Sequence, residues 1–170
     1  STNNTWMTQT TDIRMYGGTV KGGIYGGHYQ GTGNAGKIHQ TTNVNIVNGQ
    51  VGDVAALTDA SKMGYVHGGG FGSGTSVGGN VDVTIGDATA TESLVIYGDV
   101  YGGSALGTVN TNASNHTNVT LNKGIINGSL YGGGLGDNST AANVNGPVTV
   151  TVNGGTVNTT SANGSGAVYG

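Results

Sequence analysis

Four segments of the chain alternate apolar and polar residues and then stop at a glycine. They are residues 43–49 (NVNIVNG), 80–86 (NVDVTIG), 118–124 (NVTLNKG) and 147–154 (PVTVTVNG). An apolar residue at every second position, broken only at Val47, is the period of a β-strand with one buried face. No segment sustains the 3.6-residue period of an amphipathic helix. The pattern therefore predicts an all-β chain.

A second motif alternates with these segments and reads Gly, any residue, an aliphatic residue, Tyr or His, Gly, Gly. Its copies are residues 22–27, 64–69, 98–103, 128–133 and 166–170, the last cut short by the chain end. Tyr25 and Tyr169 are 144 residues apart over four intervals, which gives a mean period of 36 residues. A repeat on this scale indicates units that bury their apolar faces only by stacking on their neighbours.

Like motifs that recur at this period would stack on one another in parallel. The sequence therefore predicts a single domain over residues 1–170, a parallel β-helix (β-solenoid) of about four to five coils. Each period is read as one coil with two or three short strands, and two coils per period is the alternative. Residues 54–63 (VAALTDASKM) are the one stretch that could be helical, and they are read as a loop insertion.

The alternation also assigns the residues that face inward. One inner face takes Val44, Ile46, Val81, Val83, Ile85, Val119, Leu121, Val148, Val150 and Val152. A second takes the aliphatic residues of the glycine motif, which are Ile24, Val66, Val100, Leu130 and Val168. A third inner ladder is expected to follow the glycines at Tyr29, Phe71, Leu106 and Leu135.

The aromatic residue of the glycine motif follows an inward aliphatic residue, so it is predicted to face outward. The resulting ladder consists of Tyr25, His67, Tyr101, Tyr131 and Tyr169. Rings at the strand spacing of about 4.8 Å would stack on one another. Such a strip could contact a glycan or a protein. The interpretation we favour is structural, a ladder that shields the neighbouring glycines and holds the register of the coils.

Composition narrows the possible functions. The chain has 36 glycines, one proline, 8% charged residues and a formal net charge of −3. This balance gives no basic footprint for nucleic acid, and no apolar run reaches the roughly 20 residues that span a bilayer. The absence of cysteine excludes disulfides and thiol catalysis. Because the chain lacks an initiator Met and both ends fall within the repeat pattern, we expect a fragment of a longer repetitive protein.

The sequence predicts no catalytic residue, cofactor or metal site. The Gly-Gly-Gly runs lack the Lys-Ser/Thr of a phosphate-binding loop, and the histidines lack metal-ligand spacing. Residues 132–137 are similar to the calcium nonapeptide repeat, but Asp137 falls one place early and is not repeated. Asp82 and Asp99 are expected at outward strand positions with nothing to bring them together, so the chain is expected to be non-enzymatic.

Two alternative functions remain open. Many β-helical enzymes act on polysaccharides through clustered carboxylates, so a carbohydrate-active domain of the polysaccharide lyase or phage tailspike kind is one. An ice-binding solenoid is the other, because threonines recur at outward sites. These are Thr84, Thr120, Thr149 and Thr151. Asn45, Asp82 and Asn122 interrupt that array, which makes it irregular for a lattice match.

Gly-x-Val-Tyr-Gly-Gly and the strand at 147–155 (PVTVTVNGG), in an Asn/Thr/Gly-rich chain without cysteine, resemble a known class. They are similar to the repetitive β-helical passenger or stalk regions of bacterial surface adhesins, including autotransporter-type proteins. The resemblance covers roughly residues 14–170 and rests on repeat style. It implies export to the bacterial cell surface and a rod that contacts a protein or glycan of a host or neighbouring cell. Open coil ends also imply end-to-end stacking with a second copy of the chain, in a filament.

Overall fold

The computed structural model describes residues 6–29, 36–38, 40–90, 93–158 and 166–170. They form parallel sheets stacked as a β-solenoid of about four turns, one turn for about 34 residues. Three of the sheets have five strands each and a fourth has three, and every strand pairs in parallel with its equivalent in an adjacent coil. The predicted fold class is confirmed, with one coil per sequence period.

Sheet 1 contains the longest strands, and it is built from the alternating segments. Its strands are Thr11–Met15, Thr42–Ile46, Val81–Ile85, Thr117–Leu121 and Val148–Val152. Val83 pairs with Val44 on one side and with Val119 on the other. This register keeps the valines in one column, because a slip by one residue would turn each apolar side chain to the outer face.

The remaining strands have two residues each. Sheet 2 contains Thr19–Val20, Gln50–Val51, Val95–Ile96, Ile125–Ile126 and Thr156–Val157. Sheet 3 contains the glycine motif, in strands Ile24–Tyr25, Val66–His67, Val100–Tyr101, Leu130–Tyr131 and Val168–Tyr169. Sheet 4 contains Trp6–Met7, Lys37–Ile38 and Ser76–Val77. The first coils thus have four strand positions, where the sequence predicted two or three.

The core is a closed column of aliphatic side chains drawn from all four sheets. Ile46, Ile85, Ile96, Val100 and Leu130 are fully buried. The two predicted inner faces are buried throughout the second, third and fourth coils. In the last coil the same columns open to solvent, with Val152 50% and Val168 47% exposed, because no further rung among the described residues covers them.

The third inner ladder is a wrong prediction. Bridges join Tyr29 to Phe71, Phe71 to Ala105 and Ala105 to Leu135, so Ala105 takes the position expected for Leu106. Leu106 has a left-handed φ of 65°, which displaces the alternation by one residue. Tyr29 and Leu135 are exposed, at 64% and 38%, whereas Ala105 is 2% exposed, so the four predicted residues do not form an inner ladder.

The insertion predicted at 54–63 leaves the coil between sheets 2 and 3. It holds two short 3-10 turns, Val54–Leu57 and Ala60–Lys62. Asp53 and Asp59 cap them by accepting hydrogen bonds from the Ala55 and Ser61 backbone N–H groups, at 3.0 and 2.9 Å. Among the described residues, no helix is long and apolar enough to cross a membrane.

Candidate contact surfaces

The five residues of the predicted aromatic ladder lie in a single column on sheet 3. The rings of Tyr25, His67, Tyr101, Tyr131 and Tyr169 stack in that order, with centroids 5.1, 4.7, 4.7 and 4.8 Å apart. The interplanar angles are only 4° to 5°. These distances match the spacing of hydrogen-bonded strands, so the backbone register sets the stacking of the rings.

The middle of this column is buried, although its side chains lie opposite the core-facing residues of their strands. His67 is 1% and Tyr101 5% exposed. Each of these two rings has a neighbouring ring on both of its faces. The ring of Tyr65 lies 6.4 Å from that of His67, and Phe71 packs edge-on against Tyr25 at 5.6 Å. The column therefore offers no open ring face to a ligand in its middle coils.

Two adjacent rings in the middle of the column, those of His67 and Tyr101, are uncharged near neutral pH. Burial lowers the pKa of the His67 imidazole to about 4, although a hydrogen bond to the Gly103 carbonyl acts in the opposite direction. Burial, and then the nearby Asp99 carboxylate, raise the pKa of the Tyr101 hydroxyl, which donates a hydrogen bond to Asp99 Oδ2 at 3.0 Å. Two neighbouring rings are thus held in their neutral forms.

The outer face of sheet 1 is entirely polar, and we call it the polar groove. It has two columns of side chains, one from the second and one from the fourth residue of each strand. They are Asp12, Asn43, Asp82, Asn118 and Thr149, and Arg14, Asn45, Thr84, Thr120 and Thr151. Two shallow clefts of about 310 and 210 Å³ lie along it and share Asp82 and Thr84, so the groove runs the length of the sheet.

Asp82 lies at the centre of the groove with two polar partners from the next coil. Its Oδ1 accepts a hydrogen bond from Asn118 Nδ2 at 3.0 Å and lies 3.3 Å from His116 Nε2. The side chains of His116 and Asp82 are 38% and 37% exposed. At the first strand, Arg14 and Asp12 form an exposed ion pair at 2.7 Å. The groove presents donors and acceptors together, in hydroxyl, amide, imidazole and carboxylate groups.

The carboxylates considered for catalysis are held on separate elements. Asp99 precedes its sheet 3 strand instead of lying within it, and its Oδ1 accepts a 2.7 Å hydrogen bond from the Ser129 N–H. Asp137 closes its own exposed loop by accepting hydrogen bonds from the Ser139 and Thr140 N–H groups, at 2.8 and 2.7 Å. Asp82, as predicted, occupies an outward strand position. His39 and Glu92 lie outside the described residues.

No group of three or more His, Asp or Glu side chains in the described part of the chain could hold a metal ion. Sequence reasoning considered Asp82 and the threonines separately and missed the groove as a unit. The signal that could have found it is the polarity of every outward position in the alternating segments.

Comparisons of the chain with protein-family models, with curated proteins and with solved structures find no match. The geometry of the chain itself therefore carries the argument about function.

Proposed function

We propose that this chain is a structural and adhesive β-solenoid of a bacterial surface or secreted protein, and that it acts without catalysis. In this role the solenoid is a rod, and its outer faces contact a protein or a glycan of a host or neighbouring cell. The resemblance of its repeats to adhesin stalk regions supports the location outside the cell. The low charge of the chain argues against a nucleic acid partner.

The observation that carries the proposal is the polar groove. Its ten side chains come from five strands whose backbones are fixed by ladder hydrogen bonds, and the three middle strands rest on a fully buried aliphatic core. A ligand bound there would meet a pre-formed surface and would cost the protein little ordering entropy. Hydroxyl and amide groups in parallel columns suit a polyhydroxylated chain or a polar protein surface, since both offer donors and acceptors at short intervals.

The aromatic column has a different part in this proposal. Because its middle rings are stacked and covered, we assign it to holding the register of sheet 3. Each parallel ring pair adds about 0.5–1.5 kcal/mol beyond the area it buries, and a slip between two adjacent coils would break the ring contact that joins them. The column thus stiffens the rod that presents the groove.

Binding to cells and to immobilised glycans tests this proposal. We expect the purified chain to bind at least one glycan class or cell surface, and Thr120→Trp, which fills the groove, to weaken that binding at least tenfold. Thr19→Trp is the matched control, because Thr19 is exposed on sheet 2 outside the groove. Absence of binding to every cell and glycan tested, or an equal loss for both variants, would contradict the proposal.

A further inference from the structure

The polar groove carries almost no net charge. Of its ten side chains only Asp12, Arg14 and Asp82 ionise. Asp12 and Arg14 neutralise each other, because Arg14 Nε and Nη2 donate hydrogen bonds to the Asp12 carboxylate at 3.1 and 2.7 Å. Asp82 has an amide and an imidazole beside it. A polyanion would thus meet one carboxylate and no unpaired arginine or lysine among these ten side chains, so the groove disfavours acidic polysaccharides and nucleic acids.

The composition of the groove also disfavours a protein partner. Seven of the ten side chains are Thr or Asn, and none is aromatic or aliphatic. Protein interfaces draw most of their affinity from a few buried aromatic or arginine side chains, and threonine is under-represented among them. The one arginine, Arg14, is 58% exposed and already paired. A ligand must therefore gain its affinity from many hydrogen bonds, and a polyhydroxylated chain offers hydroxyl groups on every unit.

The groove runs along the solenoid axis, across the strands. Its two clefts share Asp82 and Thr84, so they join in the middle of sheet 1. Asn45, Thr84 and Thr120 lie in register on three adjacent inner strands, at the strand spacing of about 4.8 Å. A linear polysaccharide laid along this axis would meet a further donor or acceptor at each coil. The groove thus suits an extended chain better than a single sugar.

Asp82 is oriented in advance for such a ligand. Asn118 Nδ2 donates to its Oδ1 at 3.0 Å, and His116 Nε2 lies 3.3 Å from the same atom. Oδ2 accepts no hydrogen bond from the described residues, and the side chain is 37% exposed. A ligand hydroxyl can donate to Oδ2, and a hydrogen bond to an ionised acceptor is roughly twice as strong as one between neutral groups. The Thr84 hydroxyl, on the same strand, can donate to or accept from a second ligand hydroxyl.

We propose that the polar groove binds a neutral linear polysaccharide, which lies along the solenoid axis and is anchored at Asp82. This inference rests on the adhesive function proposed above and names the class of its ligand. Asp82 determines the specificity, because its carboxylate accepts from sugar hydroxyls and repels uronate, sulfate and phosphate groups. The threonines and asparagines of the neighbouring coils extend the contact along the ligand.

Isothermal titration calorimetry with defined polysaccharides tests the ligand class. Dextran, mannan and galactan represent neutral chains, and polygalacturonate and hyaluronan represent acidic ones. We expect binding to at least one neutral chain, with an affinity that changes less than about twofold between about 0.05 and 0.5 M NaCl, because no ion pair forms. The acidic chains should bind at least about tenfold more weakly. Binding to none of the neutral chains, tighter binding of an acidic chain, or an affinity that falls steeply with salt would overturn the inference.

Two substitutions of Asp82 test the anchor. Asp82→Ala should keep the circular dichroism spectrum and lower the affinity for the neutral chain at least about tenfold, as expected for the loss of a hydrogen bond to a charged group. Asp82→Lys reverses the charge and should bind polygalacturonate at least about tenfold more tightly than the unsubstituted chain does. Asp59→Ala is the matched control, because it removes an exposed carboxylate on the insertion, outside the groove. Equal affinities of Asp82→Ala and Asp59→Ala for the neutral chain would refute the anchor.

Cells that bind the chain separate this inference from the proposed function. Periodate cleaves the vicinal diols of glycans, so treatment of the cells with periodate should abolish binding, whereas treatment with protease should leave it unchanged. The opposite result would show a protein partner, so the adhesive function would stand and this inference would fail. A chain that binds no cell and no polysaccharide would contradict both.

Discussion

Replacing Gly102 by alanine will destabilise the solenoid by about 3 kcal/mol, the upper end of the range for overpacking a well-packed interior. A Cβ at this position would point at the Gly132 carbonyl oxygen in the next coil, closer than real Cβ contacts come. It would also lie 2.6 Å from Thr117 Cγ2 and 2.7 Å from Val119 Cγ2. The Gly102 N–H donates to the Tyr131 carbonyl at 2.8 Å, so the clash could be relieved only by separating two coils.

Gly133→Ala provides the matched control, because it is the same substitution in another copy of the motif. A Cβ at Gly133 would meet no atom within 4 Å, and its φ lies outside the left-handed range. We expect its free energy of unfolding to stay within about 0.5 kcal/mol of the unsubstituted value. Urea unfolding of both variants measures the difference. Equal midpoints would show that close approach of the coils is not what requires glycine at Gly102.

The fold could be predicted as far as side-chain alternation extends. On Val81–Ile85 and Val148–Val152 each second residue is aliphatic, and a strand has only two faces, so the period gives the inner column. The return of the glycine motif then gives the pairing of coils, because like motifs stack in parallel. Both steps rest on patterns several residues long, and both are confirmed by the register of sheets 1 and 3.

The strands that the sequence did not predict have either no such pattern or one that charged residues obscure. Lys37–Ile38 and Ser76–Val77 have two residues each, and two residues cannot display a period. Thr11–Met15 (TDIRM) alternates, but its outward residues are the charged pair Asp12 and Arg14, so only the neighbouring coil identifies it as a strand. Ala105 takes the place predicted for Leu106 because Leu106 has a left-handed backbone conformation, which nothing in the sequence pattern indicates.

The sequence predicts which residues form the aromatic column, but it does not predict the burial or the contacts of the residues in the candidate surfaces. The recurrence of Tyr25, His67 and Tyr101 gave the aromatic column, yet an outward strand position does not imply exposure. His67 is buried because the rings of the adjacent coils cover both of its faces, and Tyr65 lies against it. Likewise, Asp82 and His116 are 34 residues apart and meet only through the register of sheet 1.

Acid will destabilise the solenoid through His67 in a pH range set by the imidazole. In the unfolded chain the group titrates near its ordinary pKa of 6.5, and burial lowers this pKa to about 4 in the folded chain. The unfolded state therefore binds more protons between these values, so stability falls as the pH falls. The contribution of neutral His67 is complete above about pH 6.5 and lost below about pH 4, with a total of about 3 kcal/mol.

Protonation of His67 is unfavourable in the folded chain because its ring lies between two other aromatic rings. Protonation would place a charge between Tyr25 and Tyr101, in a site that is 1% exposed. The added proton would also leave Nδ1 with an N–H for which the described residues provide no acceptor. The Asp99 carboxylate, which contacts the neighbouring Tyr101, already accepts hydrogen bonds from the Tyr101 hydroxyl and the Ser129 N–H. The site thus has little with which to stabilise an imidazolium.

His67→Tyr would continue the aromatic column with a ring that does not titrate in this range. Urea unfolding at a series of pH values should show that this variant lacks most of the loss between about pH 6.5 and about pH 4, while His28→Gln, which removes an exposed imidazole, retains it. Hydrogen bonds from neighbouring Ser or Thr residues lower the pKa of the Asp59, Asp87 and Asp137 carboxyls, so their stabilising effect disappears only at more acidic pH. The loss of stability caused by His67 therefore occurs at a higher pH than the loss caused by these carboxyls. An unchanged pH profile in His67→Tyr would mean that other groups cause the acid sensitivity, and that the buried imidazole does not act as we argue.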